Sequence, residues 1–214
     1  MPLAAPGTEA LQDRLLQEIA ARGGIKNYPA NAVLVNEGDT GDSLFIILSG
    51  RIKAYGSAAN GREVIYSTQG PGEYFGELTL LDGGTRSASV MTLEPTRCAV
   101  VGGAQVRDFL AGHPDFALHL LRRLTRLARA ATDNVKSLAL MDVYGRVARL
   151  LLELAQDEDG VLVVREKLTQ QDIAERVGSS REMVSRIFKQ LVEGEYLTLE
   201  GRRIVLRKKL PAGW

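Results

Sequence analysis

Arg181, Glu182, Ser185 and Arg186 fall within the first two turns of one expected helix, on the face opposite its apolar residues. Those side chains suit the edges of base pairs. An arginine donates two hydrogen bonds to guanine, and a glutamate accepts one from the amino group of cytosine. The residues around them supply the frame such chemistry needs. Thr169 with Asp172 three positions on is close to a capping box, Ala174 is small where two helices must cross, Gly178 ends the first helix, and Ser180 caps the second. Ile173, Val177, Val184, Ile187 and Leu191 form the core between the helices. This is the pattern of a helix-turn-helix, whose second helix enters the major groove with its first turns. Lys189 lies further along the same helix. A hairpin follows, Tyr196 to Leu199 and Arg203 to Leu206, and its Arg202, Arg203 and Arg207 to Lys209 are candidate phosphate contacts of a wing. Such contacts give affinity and salt dependence without sequence choice.

The elements upstream divide into two textures. Residues 9–22 have helical apolar spacing and stop at Gly23-Gly24. From Ile25 to about Val101, short β-rich runs alternate with Gly-rich turns: Ala32–Val35, Leu44–Leu48, Arg51–Tyr55, Val64–Tyr66, Ala88–Thr92 and Cys98–Val101. That spacing predicts a sandwich or barrel, with Asn60-Gly61 as a type I′ hairpin. After His113-Pro114 a long helix runs to about Met141. Leu121, Leu124, Ala128, Ala131, Val135 and Leu138 recur at alternating steps of three and four, a heptad seam that predicts a homodimer through residues 121–138. A neighbouring stripe, Leu120, Leu127, Asn134 and Met141, is expected to pack on the β domain. A helix from Val143 to Gln156, a turn at Asp157–Gly160 and a strand at Val161–Val164 lead into the helix-turn-helix.

Composition excludes several classes. The 214 residues are 45% hydrophobic and 25% charged, with no apolar run long enough for a membrane span. The start lacks a secretory signal, and one cysteine, Cys98, forms no internal disulfide, so the cytoplasm is the expected compartment. Net charge is +1, but residues 1–110 carry nine Lys and Arg against twelve Asp and Glu, while residues 111–214 carry eighteen against fourteen. The basic half is the one with the helix-turn-helix. His113 and His119 lack partners at metal-ligand spacing, no nucleophile elbow or Walker loop is present, and a lone cysteine cannot hold an iron–sulfur cluster. Neither an enzyme nor a metal site is expected.

Gly38-Asp39, Leu44–Gly50, Phe75-Gly76-Glu77-Leu78, Arg86-Ser87-Ala88 and Thr169–Leu191 together resemble the Crp–Fnr superfamily of bacterial regulators, and within it the cyclic-AMP receptor proteins. The resemblance covers roughly residues 25 to 209. It implies an α+β chain: a β-roll (jelly-roll) cyclic-nucleotide-binding domain over 1–113, a dimerisation helix over 114–141 and a winged helix-turn-helix over 142–214. It makes Gly76 to Ala88 a phosphate-binding cassette with Gly76, Glu77, Leu78, Arg86 and Ser87 as ligand contacts. Glu77 would accept from the ribose hydroxyl, and Arg86, with Ser87, would hold the cyclic phosphate. Ala131 and Thr132 stand where the cyclic-AMP receptors carry a Thr-Ser pair against adenine; Thr132 keeps a hydroxyl and Ala131 does not. Cyclic AMP is therefore the first expected effector, with cyclic GMP and cyclic di-GMP as alternatives, and a ligand-independent regulator that keeps the pocket as scaffold as a further one. In DNA, the pattern resembles readers of TGTGA-like half-sites in an inverted repeat, with Arg181 and Arg186 on guanines and Glu182 on cytosine. Ser185 stands where the receptors often have glycine. RNA polymerase is an expected partner; a membrane is not.

Overall fold

A computed structural model describes residues 14–201 and 203–210. The chain forms two compact units, Met1–Thr125 and Arg126–Trp214.

The first unit begins with α1 (Arg14–Ala20) and β1 (Gly24–Tyr28), β2 (Val33–Val35), β3 (Ser43–Ser49), β4 (Ile52–Ser57), β5 (Glu63–Gln69) and β6 (Tyr74–Phe75). It continues through α2 (Glu77–Asp82), β7 (Ser89–Thr92), β8 (Thr96–Gly102), α3 (Gly103–Gly112) and the first part of α4 (Pro114–Leu140). The strands pair antiparallel in two four-stranded sheets, ordered β1-β8-β3-β6 and β2-β7-β4-β5. β3 explains the layering. Its residues from Leu44 to Leu48 are all apolar and all buried, so both of its faces need cover. Leu44, Ile46 and Leu48 meet Ile19, Phe109, Phe116 and Leu120 from the helices. Phe45 and Ile47 point the other way, into a cluster with Ile52 and Val90 of the second sheet and with Phe75 and Cys98. Burial pushes the Cys98 thiol up to about 12, so it stays protonated and unreactive.

The second unit holds the rest of α4, then α5 (Val143–Leu154), β9 (Ala155–Glu158), β10 (Val161–Val164), α6 (Gln170–Val177), α7 (Arg181–Glu193), β11 (Leu197–Glu200) and β12 (Arg203–Leu206). Its four strands run β11-β12-β10-β9. Val147, Leu151, Ile173, Val177, Val184, Ile187, Leu191 and Leu197 share one core. Asp142 caps α5 by accepting from the Gly145 N–H at 2.7 Å.

Three local expectations are corrected. The type I′ turn is not at Asn60-Gly61: only Gly61 has positive φ there, and Ser57 pairs with Glu63 across a five-residue loop closed by Ala58 N–H to Arg62 O. The two-residue hairpin is at Asp159-Gly160 instead, where both φ values are positive (55° and 85°) and Glu158 pairs with Val161. That hairpin also shortens α5, which ends at Leu154, and turns Ala155–Glu158 into a strand rather than helix end and solvated turn. Of the stripe expected on the β domain, Leu120 is buried, but Leu127 is only half-buried and Asn134 is exposed. Arg123 occupies the buried place beside Leu120. Of the segment expected as a helix over 9–22, residues 9–13 lie outside the described residues and Arg14–Ala20 form α1; Arg202 also lies outside.

Candidate ligand cradle and nucleic-acid interface

Between β6 and β7 the backbone makes a narrow cradle around one arginine. Arg86 is 6% exposed, donating from Nη1 to Gly76 O (3.1 Å) and from Nη2 to Ser43 O (3.0 Å), with its guanidinium 5.8 Å from the Phe45 ring centre. The cradle fits because two positions lack a side chain. A Cβ on Gly76, which also has φ 90°, would press into Ser43 O and the Arg86 guanidinium, and one on Gly41 would stand 2.7 Å from Arg86 Nη2. Backbone pairing on the other side, Gly38 N–H to Arg86 O (2.9 Å) and Arg86 N–H to Asp39 O (2.8 Å), fixes the arginine's own main chain. Burial pulls the Arg86 pKa down, and the nearby Glu77 and Asp42 carboxylates push it back up.

Glu77 opens α2 directly after Gly76 and is 5% exposed. Sequence reasoning missed what holds it. Arg123 of α4, itself 9% exposed, donates from Nε to Glu77 Oε1 at 3.4 Å and from Nη2 to Tyr74 O at 2.7 Å, with its guanidinium 4.6 Å from the Tyr74 ring centre. No heptad or motif argument marks a single arginine on a helix as buried, so the signal was not in the pattern. The result is a buried carboxylate and a buried guanidinium side by side, with Glu77 oriented and Arg86 lodged against two carbonyls. Such a pair suits a ligand carrying both a hydroxyl and an anionic oxygen. Leu78 is half-buried and Ser87 is exposed beside Arg86. Thr132 belongs to the other unit, and its hydroxyl donates to Ala128 O at 3.0 Å.

In the second unit each expected cap is present. The Thr169 hydroxyl accepts from Asp172 N–H (3.1 Å) while Asp172 Oδ2 accepts from Thr169 N–H (2.7 Å), and the Ser180 hydroxyl accepts from Met183 N–H (3.2 Å). Gly178 closes α6 in the left-handed region at φ 64°, with only ordinary contact to Leu138 for an added Cβ. Gly178→Ala therefore carries conformational strain without a clash, and is expected to cost about 1 kcal/mol in urea denaturation. Two residues that sequence reasoning did not single out brace the turn. Arg146 donates to Met141 O and Val177 O, each at 2.8 Å, and Arg176 pairs with Glu166 at 2.6 Å.

With Val184, Ile187, Phe188 and Leu191 buried, α7 turns Arg181, Glu182, Ser185, Arg186 and Lys189 to solvent. The Glu182 carboxyl lies below the usual carboxylate range because it accepts from its own backbone N–H and from Ser180. It remains an acceptor at neutral pH. The wing is less open. Arg203 Nη2 donates to Glu158 Oε1 at 2.7 Å, Arg165 meets the same carboxylate at 2.6 Å, Arg207 pairs with Glu200, and Lys208 Nζ reaches Glu195 at 3.0 Å. A phosphate would therefore have to compete with Glu158 for Arg203.

No helix among the described residues is long and apolar enough to cross a membrane, and no group of three metal-binding side chains stands together among them.

Comparison with known proteins recovers a domain family for each half of the chain. The cyclic nucleotide-binding domain family matches residues 25–113, and the Crp-like helix-turn-helix domain matches residues 145–210. The CRP-like cAMP-activated global transcriptional regulator of Mycobacterium tuberculosis is 36% identical over 184 residues, covering 84% of this chain and 82% of that protein. The cAMP-activated global transcriptional regulator CRP of Pasteurella multocida is 31% identical over 189 residues, covering 85% and 89%. The solved structure of the c-di-GMP responsive global regulator CLP of Xanthomonas campestris matches with a TM-score of 0.78 over 91% of this chain and 98% of its own, at 23% identity, a likeness of fold. With both domain families in their expected order and relatives this similar along most of its length, the chain belongs to the Crp–Fnr superfamily of transcription regulators.

Proposed function

We propose that this regulator is a cytoplasmic homodimer that binds a cyclic nucleotide, with cyclic AMP the first choice, and in that state binds inverted-repeat DNA. The observation that carries the reading is the buried Glu77 and Arg86 around Gly76. Their chemistry matches a ribose 2′-hydroxyl and a cyclic phosphate, and relatives at 36% and 31% identity are named for activation by cAMP. Arg86 would release its two carbonyl partners and turn its fork to the phosphate oxygens, a charge-assisted and bidentate contact in a water-poor cradle. Glu77, held by Arg123, would accept the ribose hydroxyl, and Ser87 would add a donor at the rim. Cyclic GMP and cyclic di-GMP share this phosphate and ribose chemistry and are the alternatives.

The division of labour follows 1–113 for sensing, 114–141 for pairing and 142–214 for DNA. The ligand's effect would pass along the seam from Ala128 to Leu138 to the hinge at Met141–Val143, where Arg146 ties Met141 to the end of α6. To move the dimer from 1:99 to 99:1 in favour of the DNA-competent arrangement, ligand must favour it by about 5.5 kcal/mol. On DNA, Arg181 and Arg186 would take guanines, Glu182 cytosine, and Ser185 and Lys189 would flank them, over TGTGA-like half-sites. Thr169, Arg202 and Arg203 are candidate phosphate contacts, and Ser180 lies at the point where α7 meets the groove. RNA polymerase is the expected protein partner of a factor so placed.

Calorimetric titration with cyclic AMP, cyclic GMP and cyclic di-GMP in turn tests the ligand; binding of none of them removes the sensor reading. For DNA, Arg181→Ala is expected to cost roughly 1–3 kcal/mol at one guanine position of each half-site. Competition binding with single-base variants would show it, and an equal loss on every sequence would make Arg181 a phosphate contact instead.

A further inference from the structure

The β11-β12-β10-β9 sheet is buried on both faces, for different reasons. One face, with Val164, Ile204 and Leu206, packs into the core of the second unit. The register pairs Glu158 with Val161 and Val163 with Val205, so by strand alternation these residues share the opposite face with Arg165 and Arg203. Val163 and Val205 stand outside the core cluster, yet each is only 4% exposed. Arginine stems cover them. Arg165 lies four residues on from Val161, about 13 Å of strand, and still donates from Nε to Glu158 Oε1 at 2.6 Å. Arg203 reaches the same carboxylate from β12, its Nη2 donating to Oε1 at 2.7 Å and to Oε2 at 2.5 Å. Both side chains therefore fold back along the sheet, stems over the valines and guanidiniums on Glu158.

The grouping is unbalanced. One carboxylate faces two guanidiniums. Hydrogen bonds from Arg165 and then Arg203 hold the Glu158 carboxyl below the usual carboxylate range, so it is ionised at neutral pH and one positive charge is left over. Glu166, the next carboxylate along the chain, pairs with Arg176 at 2.6 Å. The arginine side chains are 62% and 46% exposed, and an ion pair this open holds its cations weakly. An arginine fork fits a phosphate as well as it fits a carboxylate. Both arginines also border candidate phosphate contacts. Arg203 follows the Glu200-Gly201 turn of the wing, and Arg165 leads in four residues to the Thr169 cap of α6.

We infer that Arg165 joins Arg203 as a contact to the DNA backbone and that Glu158 is their built-in competitor, holding both arginines on the sheet until phosphates take them over. This rests on the proposal that the second unit binds DNA. Each arginine must leave a carboxylate to reach a phosphate, so the exchange gives up part of the electrostatic gain that would otherwise fall on any DNA sequence. Base contacts from α7 are untouched. Glu158 thus lowers the sequence-independent share of binding and leaves the sequence-dependent share as it is.

Fluorescence anisotropy on the full chain with cyclic AMP tests this on two duplexes, an inverted repeat and its scrambled counterpart, over a series of salt concentrations. Glu158→Gln keeps the shape and removes the charge, and is expected to tighten binding to both duplexes about fivefold. Asp159→Asn, the same charge change at the hairpin tip, should leave both within about twofold. Arg165→Gln should weaken both about equally and lower the slope of log affinity against log salt by about one. In the Glu158→Gln background Arg165→Gln should cost more than it does alone, because the guanidinium no longer gives up an ion pair on binding. Binding no tighter in Glu158→Gln than in Asp159→Asn, a gain confined to the inverted repeat, or an equal cost of Arg165→Gln in both backgrounds would overturn the inference. Specific binding to the inverted repeat that ignores all these changes would sink this inference alone. Failure of the unaltered chain to bind either duplex would remove the DNA reading with it.

Discussion

Arg86→Ala is expected to lower cyclic AMP affinity at least about 100-fold, with the β-roll still folded. The magnitude follows from what the arginine would supply: two charge-assisted hydrogen bonds to an anion inside a shielded cradle, each worth about 1.5–3 kcal/mol. The substitution also leaves Gly76 O and Ser43 O without the donors they have now. A stability loss of about 1–3 kcal/mol should therefore accompany the binding loss. Arg86→Lys separates the two effects. It restores the charge but not the fork, so affinity should recover only in part. Calorimetry gives the binding and urea denaturation the stability. Cyclic AMP affinity unchanged in Arg86→Ala would refute the cradle as the phosphate site.

The second large effect concerns the seam. Val135 is 65% exposed on the single chain, as are Leu121 at 59% and Leu138 at 56%, an unusual run of large apolar residues on one face of a helix. If two copies of α4 pair there, Val135→Glu removes an apolar contact from each chain and places two carboxylates in a desolvated seam. The expected cost to the dimer is roughly 3 kcal/mol or more, a dissociation constant at least 100-fold higher. Specific affinity for an inverted repeat should fall with it, because each chain would then hold one half-site alone. Lys136→Glu, one residue on and off the heptad positions, should remain dimeric. Sedimentation velocity of the two variants decides the matter; a dimeric Val135→Glu chain would place the interface elsewhere.

How far the sequence carried depends on which physical signal each element rests on. The helix-turn-helix was legible because its signals are local: Thr169, Gly178 and Ser180 each have one conformational job, and the structure gives each that job. Both sheets were legible where strands are apolar or alternating, as at Leu44–Leu48. β1 was not, because Gly-Ile-Lys-Asn-Tyr is exposed along most of its length and makes no hydrophobic pattern. α3 begins and ends in glycine, and its N-cap Gly102 has no side chain to cap with; Gln105 Oε1 accepting from Gly102 N–H at 2.9 Å is the one local cap, too slight a signal to announce the helix. The hairpin at Asp159-Gly160 was read as a solvated turn because the acidic Asp157 and Glu158 obscured a strand that pairs with β10. At the cradle, Glu77 and Arg86 were found through a motif. Their positioning by Arg123, Gly41 and Ser43 depends on contacts across more than forty residues in all three cases, which spacing cannot reveal.

The central claim is that ligand at one end governs DNA binding at the other, and fluorescence anisotropy on a labelled duplex tests it most directly. The duplex carries two TGTGA-type half-sites as an inverted repeat and is titrated with the full chain at fixed salt, with and without saturating cyclic AMP. Cyclic AMP is expected to tighten binding to that duplex strongly, with Arg86→Ala failing to respond, while a scrambled duplex stays weak in every condition. Identical affinity with and without cyclic AMP, cyclic GMP or cyclic di-GMP would contradict nucleotide control and leave a DNA-binding regulator whose β-roll serves as scaffold.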